Sequence, residues 1–210
     1  MSQTSSLPGE AHPEAASTRA AASVMADPGA WAVTAFATTS FMLGMYNAHL
    51  LNMAGAPIVI PVALFFGGLI QIVVGVLEVM RGNVFGAVVF GTYGPFWVIY
   101  GVLLTLYATQ IPASAINSAV ALFLAMFAVI TFYFVIASLR TDMVLVAVFA
   151  LIFIGLVLLA IGSGAANVQI TEAGGWVTLA FAVLAWYHAA GDVIGYTFGR
   201  QVLPVGSLRK

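Results

Sequence analysis

Six long apolar stretches follow one another along the chain with little between them: residues 30–51, 57–80, 84–108, 115–138, 143–163 and 174–198. A helix of about 20 mostly apolar residues crosses the hydrocarbon layer of a bilayer. The pattern therefore predicts an all-α membrane protein with six transmembrane helices. Four connections, at 52–56, 81–83, 109–114 and 139–142, are no more than turns or brief loops. Charged residues make up 6% of the 210 residues and hydrophobic ones 62%; soluble domains carry about 25% charged residues. So few charges cannot cover a water-facing surface, and whatever the chain does it does among its helices.

The basic residues set the orientation. Arg19, Arg81, Arg140, Arg200, Arg209 and Lys210 are all the cations the chain has. Six helices place every one of them on the same side and leave the opposite loops without any. Cytoplasmic segments carry the excess of Lys and Arg, so both termini are expected in the cytoplasm. Residues 1–26 are rich in Ala, Ser, Pro and Glu and lack the apolar core of a secretory signal; they read as a disordered cytoplasmic tail. Residues 27–203 form the six-helix membrane domain, opened by Asp27-Pro28, a capping residue and a proline suited to a helix start. Residues 204–210 read as a short cytoplasmic tail.

The composition excludes several classes of function. A net charge of −1 gives no basic patch for nucleic acid. Without cysteine there are no disulfides or thiolate metal sites, and the three histidines show no metal-ligand spacing. No cofactor is called for. A Walker motif is absent, as are His-Glu-x-x-His and Gly-x-Ser-x-Gly, so neither an ATP-driven pump nor an intramembrane hydrolase is supported and no enzyme is expected. The only lysine is terminal Lys210, which rules out a buried retinal Schiff base, and no arginine run marks a voltage sensor.

Polar side chains at membrane depth are costly and mark candidate sites. Gln71 and Glu78 lie seven residues apart on one face of the second helix, near Gly67, Gly75 and Gly82. They form either a polar pathway wall or a close-packed seam with an interfacial Glu78–Arg81 pair. His188 and Asp192 are an i,i+4 pair on the sixth helix, suited to relaying protons or to a structural hydrogen bond. Gly191, Gly195 and Gly199 repeat at spacing four, as helix-packing residues do. Asn47, near the far end of the first helix, is a candidate pathway residue, and His49 reads as interfacial.

Four motifs carry a resemblance. They are Phe36 with Tyr46-Asn47-Ala48; Phe66-Gly67-Gly68 with Gln71, Gly75, Glu78 and Gly82-Asn83-Val84-Phe85-Gly86; Tyr93-Gly94-Pro95-Phe96-Trp97; and Phe198-Gly199-Arg200-Gln201-Val202-Leu203-Pro204-Val205-Gly206. In this order, within a six-helix chain, they resemble the acetate uptake transporters, the succinate–acetate permease family, from about residue 27 to 206. Three positions depart from the family pattern. The opening reads Asp27-Pro28-Gly29-Ala30-Trp31-Ala32-Val33 where the family has Asn-Pro-Ala-Pro-Leu-Gly-Leu. Gly195-Tyr196 stand in place of Asn-Glu, and His188 replaces an apolar residue.

The resemblance implies a homo-hexameric ring with one pore per protomer and an apolar constriction formed by Phe36, Tyr93 and Ile152. It implies transport of acetate or a similar small carboxylate across the cell membrane. No Lys or Arg lies at the helix centres to offset a bare carboxylate, whose desolvation costs several kcal/mol or more. Passage with a proton is therefore expected, with an anion channel controlled by dewetting left open, and protons and membrane lipid are the other partners. Two alternatives stay open: a channel for small neutral amides such as urea, and a membrane sensor that does not transport.

Overall fold

The computed structural model describes residues 25–208, and every regular element in it is helical. The tail expected over 1–26 lies, apart from Met25 and Ala26, outside the described residues, as do Arg19, Arg209 and Lys210. Helix α1 spans Gly29–Asn47. Five further rods follow: α2 Met53–Met80, α3 Val84–Tyr107, α4 Ile116–Ser138, α5 Met143–Gly164 and α6 Val168–Phe198. These five are long and apolar enough to cross a membrane, so the fold is all-α and multi-pass. Helix α1 has 19 residues and is not among the five. It carries Thr34, Thr38, Thr39 and Ser40 in its middle, and the threonines each donate to the carbonyl four residues back, at 2.8–2.9 Å. Such bonds satisfy hydroxyls in an apolar setting.

Each helix start has a local reason. Asn83, Asp142 and Asn167 accept from Gly86, Leu145 and Ile170 N–H at 3.2, 2.9 and 3.0 Å, so side chains close the free amides of α3, α5 and α6. The Asn167 cap starts α6 six residues before the apolar stretch at 174. Its opening residues include Gln169, Thr171 and Glu172, which hide them from an apolarity reading. Rod α2 begins as 3-10 turns around Pro57 and widens to a π-helix over Val62–Ile70. At the other end α6 stops at Gly199, in the left-handed conformation with φ 64°, where Arg200 N–H closes onto Gly195 C=O at 3.1 Å.

Helix α1 packs along α6, α6 along α5, α5 along α4, and α2 along α3. Glycines allow two close approaches: a Cβ at Gly75 would sit 2.9 Å from Gly91 N on α3, and one at Gly175 would collide with the Asn47–Ala48 backbone. The stripe at Gly191, Gly195 and Gly199 packs differently from the sequence expectation. A Cβ at Gly191 would face Val205 and Leu203 of the C-terminal segment. That segment folds back along α5: Met143 and Val144 N–H donate to Gly206 and Val205 C=O at 2.9 and 3.3 Å, and Leu208 N–H to Thr141 C=O at 2.9 Å. Tyr187 Oη donates to Pro204 C=O at 2.9 Å. The end bearing residues 25–28 and 199–208 is called proximal below, and the opposite end distal.

Candidate functional site: two cavities in line

A distal cavity of about 200 Å³ opens between α1, α3, α4, α5 and α6. Phe36, Tyr93 and Ile152 line it together, and so does Asn47. These four residues come from three separate helices, and the fold brings them to one space. Phe36 sits with its ring centroid 5.4 Å from Tyr93 and 5.7 Å from Phe181. Phe36, Tyr93 and Ile152 are all buried.

The hydrogen bonding of Tyr93 is directional. Thr131 Oγ1 donates to Phe127 C=O at 2.8 Å, and a hydroxyl has one proton to give. The 2.8 Å contact between Tyr93 Oη and Thr131 Oγ1 therefore has Tyr93 as donor. The phenol proton is committed, and only the lone pairs of Tyr93 remain for anything in the cavity. Ser40 and Trp97, which sequence reading did not single out as site residues, also line this space. Ser40 Oγ and Trp97 Nε1 are buried without a hydrogen-bond partner among the described residues. Buried polar groups are nearly always paired, so both mark a polar spot in an apolar wall. Trp97 stood within a recognised motif, but nothing in a sequence shows that an indole N–H lacks a partner.

A proximal cavity of about 590 Å³ lies at the other end. No residue lines both, yet they stand in line. Val33, Val89 and Phe149 border the proximal cavity and Phe36, Tyr93 and Ile152 the distal one. Each pair is three or four residues apart on α1, α3 and α5, so about one helical turn, ~5 Å, separates the two spaces.

The proximal cavity holds the charges. Arg81 meets Asp27 through two bonds of 3.0 Å and Glu78 through one of 3.0 Å. The hydrogen bond to Asp27, with the field of both carboxylates, holds the Arg81 guanidinium above its usual pKa against the opposing effect of partial burial. Glu78 is buried, and its Oε2 has no partner among the described residues. His188 and Asp192 do face each other, Nδ1 to Oδ2 at 3.6 Å. The nearer partner of His188 is Asp142, with Nε2 3.1 Å from Oδ2. Sequence reading missed Asp142 because it sits 46 residues away on another helix. Gln71 lines neither cavity: it is fully buried, and its amide donates to Gly67 C=O at 2.7 Å.

An apolar helical bundle with two cavities in line and most of its charges gathered at one end defines a multi-pass membrane protein of the permease and channel class. The chain belongs to the GPR1/FUN34/yaaH family, whose model matches residues 8–206. It is 31% identical over 182 residues to the succinate-acetate/proton symporter SatP of Escherichia coli K12, covering 87% of this chain and 96% of that protein. It is 30% identical over 173 residues to ammonia transport outward protein 2 of Saccharomyces cerevisiae, covering 80% of this chain and 61% of that one. The solved structure of the bacterial acetate channel SatP superposes with a TM-score of 0.81 at 31% identity, covering 87% of this chain and 99% of that one.

Proposed function

We propose that this chain carries acetate or a related small carboxylate across the cell membrane together with a proton, from the distal cavity past Phe36, Tyr93 and Ile152 to the proximal one. It is a membrane transporter and not an enzyme. The observation that carries the reading is the pair of cavities in line, one helical turn apart, with Tyr93 between them offering only lone pairs. A bare carboxylate needs donors, and the ring supplies none. An undissociated acid can give its O–H to Tyr93 Oη, so the proton travels with the acid through the narrow turn. Ser40 Oγ and Trp97 Nε1 serve as donors to the carboxyl oxygens in the distal cavity, with Asn47 nearer the mouth. Glu78 and the His188–Asp192 pair receive the proton on the proximal side.

Six spans complete the arrangement, with α1 as the sixth and both ends in the cytoplasm. Arg81, Arg140 and Arg200 all at the proximal end support that orientation. The family resemblance carried by the motifs implies a homo-hexamer with one pathway per protomer. A second reading, passage of a small neutral solute, is favoured by the cation-free wall of the distal cavity and by the name of the yeast relative.

Uptake of labelled acetate, succinate and urea into proteoliposomes separates these readings, with proton movement followed by an enclosed dye. Acetate uptake with inward proton movement is expected, and an altered pH dependence of the uptake rate in His188→Leu and Asp192→Asn. Urea uptake without acetate uptake sinks the carboxylate reading; a wild-type pH profile in both variants sinks the relay.

A further inference from the structure

Thr131 lines neither cavity, yet it sets what the narrow turn between them can offer a substrate. It is fully buried on α4. The Tyr93 ring is fixed by its neighbours, with the Phe36 centroid at 5.4 Å and that of Phe134, edge-on, at 5.8 Å. This packing sets where the phenol oxygen lies but not where its proton points, because a hydroxyl proton rotates to suit its partners. Thr131 sets that direction. Its Oγ1 donates to Phe127 C=O at 2.8 Å, so towards Tyr93 Oη, 2.8 Å away and 38 residues back in the chain, it can only accept.

The distal wall has the opposite polarity. Ser40 Oγ and Trp97 Nε1 line the distal cavity without partners among the described residues, and each has a proton to give. A carboxylate leaving those donors meets an acceptor at Tyr93. A phenol proton turned into the pathway would instead continue the row of donors, and a bare anion could follow it. The undissociated acid needs no such turn: its own O–H reaches a Tyr93 lone pair while the phenol goes on donating to Thr131.

We propose that Thr131 is the residue that makes the narrow turn select the undissociated acid over its anion, by holding the Tyr93 proton on α4 and out of the pathway. The inference rests on the reading that a carboxylate crosses here together with a proton. Thr131 is a positioning residue: it acts through Tyr93 and touches no substrate. Thr131→Val and Thr131→Ala remove the acceptor and release the phenol proton to the pathway, while the helical backbone of α4 stands without the hydroxyl. Thr131→Ser keeps the acceptor. A hydrogen bond from a neutral donor to a charged group is worth roughly tenfold or more in an equilibrium, enough to open a route for the anion.

The membrane potential tells the two species apart, because the acid crosses without net charge and the anion does not. Labelled acetate uptake is measured in proteoliposomes of the full chain at about pH 7.5, where carboxyls that titrate near pH 4 are almost wholly ionised. A potassium gradient with valinomycin sets the interior at zero or roughly 100 mV positive, and uptake by protein-free vesicles is subtracted. One charge moved half-way across roughly 100 mV changes a rate about sevenfold. Wild type and Thr131→Ser are expected to ignore the potential, and Thr131→Val and Thr131→Ala to take up acetate about sevenfold faster with the interior positive. Adding Tyr93→Phe to Thr131→Val removes the released proton and is expected to abolish that response. Val and Ala variants that ignore the potential overturn the role of Thr131 and leave passage with a proton standing. A response that survives in the double variant overturns it too, since loosened packing then carries the anion. Potential-driven uptake by the wild-type chain overturns both the inference and the reading beneath it.

Discussion

Asp142 holds two elements with one carboxylate: Oδ1 accepts from Leu145 N–H at 2.9 Å, and Oδ2 lies 3.1 Å from His188 Nε2. The first contact caps α5 and the second ties it to α6. The C-terminal segment supplies the neighbouring partners, since Met143 and Val144 N–H are taken by Gly206 and Val205. Asp142→Asn keeps an acceptor for the cap and loses the charge facing His188. Asp142→Ala loses both, and a lost cap costs about 1 kcal/mol. Unfolding in mild detergent is expected to rank wild type, then Asn, then Ala; equal stability of the two variants would show that the cap contributes nothing.

Tyr93→Phe removes the donor to Thr131 and the lone pairs facing the distal cavity. Thr131 keeps its bond to Phe127 C=O, so no buried donor is orphaned and the loss of stability should be about 1 kcal/mol. Acetate uptake is expected to fall about 2- to 10-fold, the value of one hydrogen bond to a neutral group. Uptake unchanged in a folded Phe variant would assign Tyr93 to packing alone.

Phe36 touches Tyr93 and Phe181 across the narrow turn. Truncation to Ala should destabilise by about 3–5 kcal/mol, as buried Phe→Ala changes do, so Phe36→Leu is the cleaner probe. The Leu variant is expected to admit butyrate relative to acetate better than wild type does. Competition of unlabelled butyrate against labelled acetate measures this, and an unaltered ratio removes Phe36 from the size filter.

Arg81 neutralises two carboxylates at once, of which Glu78 is buried. Arg81→Met leaves that carboxylate without its cation, a change worth roughly 3–5 kcal/mol for a fully buried pair and less here because the guanidinium is partly open. Glu78→Gln in the same chain should recover most of the loss. Arg81→Lys should recover little, because an ammonium lacks the fork that reaches Asp27 and Glu78 together. Thermal unfolding of wild type, Arg81→Met, Glu78→Gln and the double variant forms a double-mutant cycle; strictly additive losses would mean that the pair is not coupled.

Much of the fold was legible in the residues. The apolar stretches marked the five spans, and the caps at Asn83 and Asp142 stand where a sequence reader would begin α3 and α5. Family motifs marked Phe36, Tyr93 and Asn47, the wider resemblance implied Ile152, and all four line one cavity. Gln71 was chosen by its spacing from Glu78, yet it lines neither cavity. The two do share a face of the regular α-helix Gln71–Met80, but two turns, about 10 Å, separate them, and only Glu78 reaches the proximal cavity.

By itself the sequence determined the solvent, the element type and the sidedness of charge, because apolarity and basic-residue placement act through each residue's own transfer energy. Only the tertiary structure decided which polar groups meet. Arg81 reaches Asp27 across 54 residues and His188 reaches Asp142 across 46, while Ser40 and Trp97 share the distal cavity wall from separate helices. Such pairings depend on the rotation and neighbour of each helix, set by packing along its whole length, and no local window of sequence contains that information.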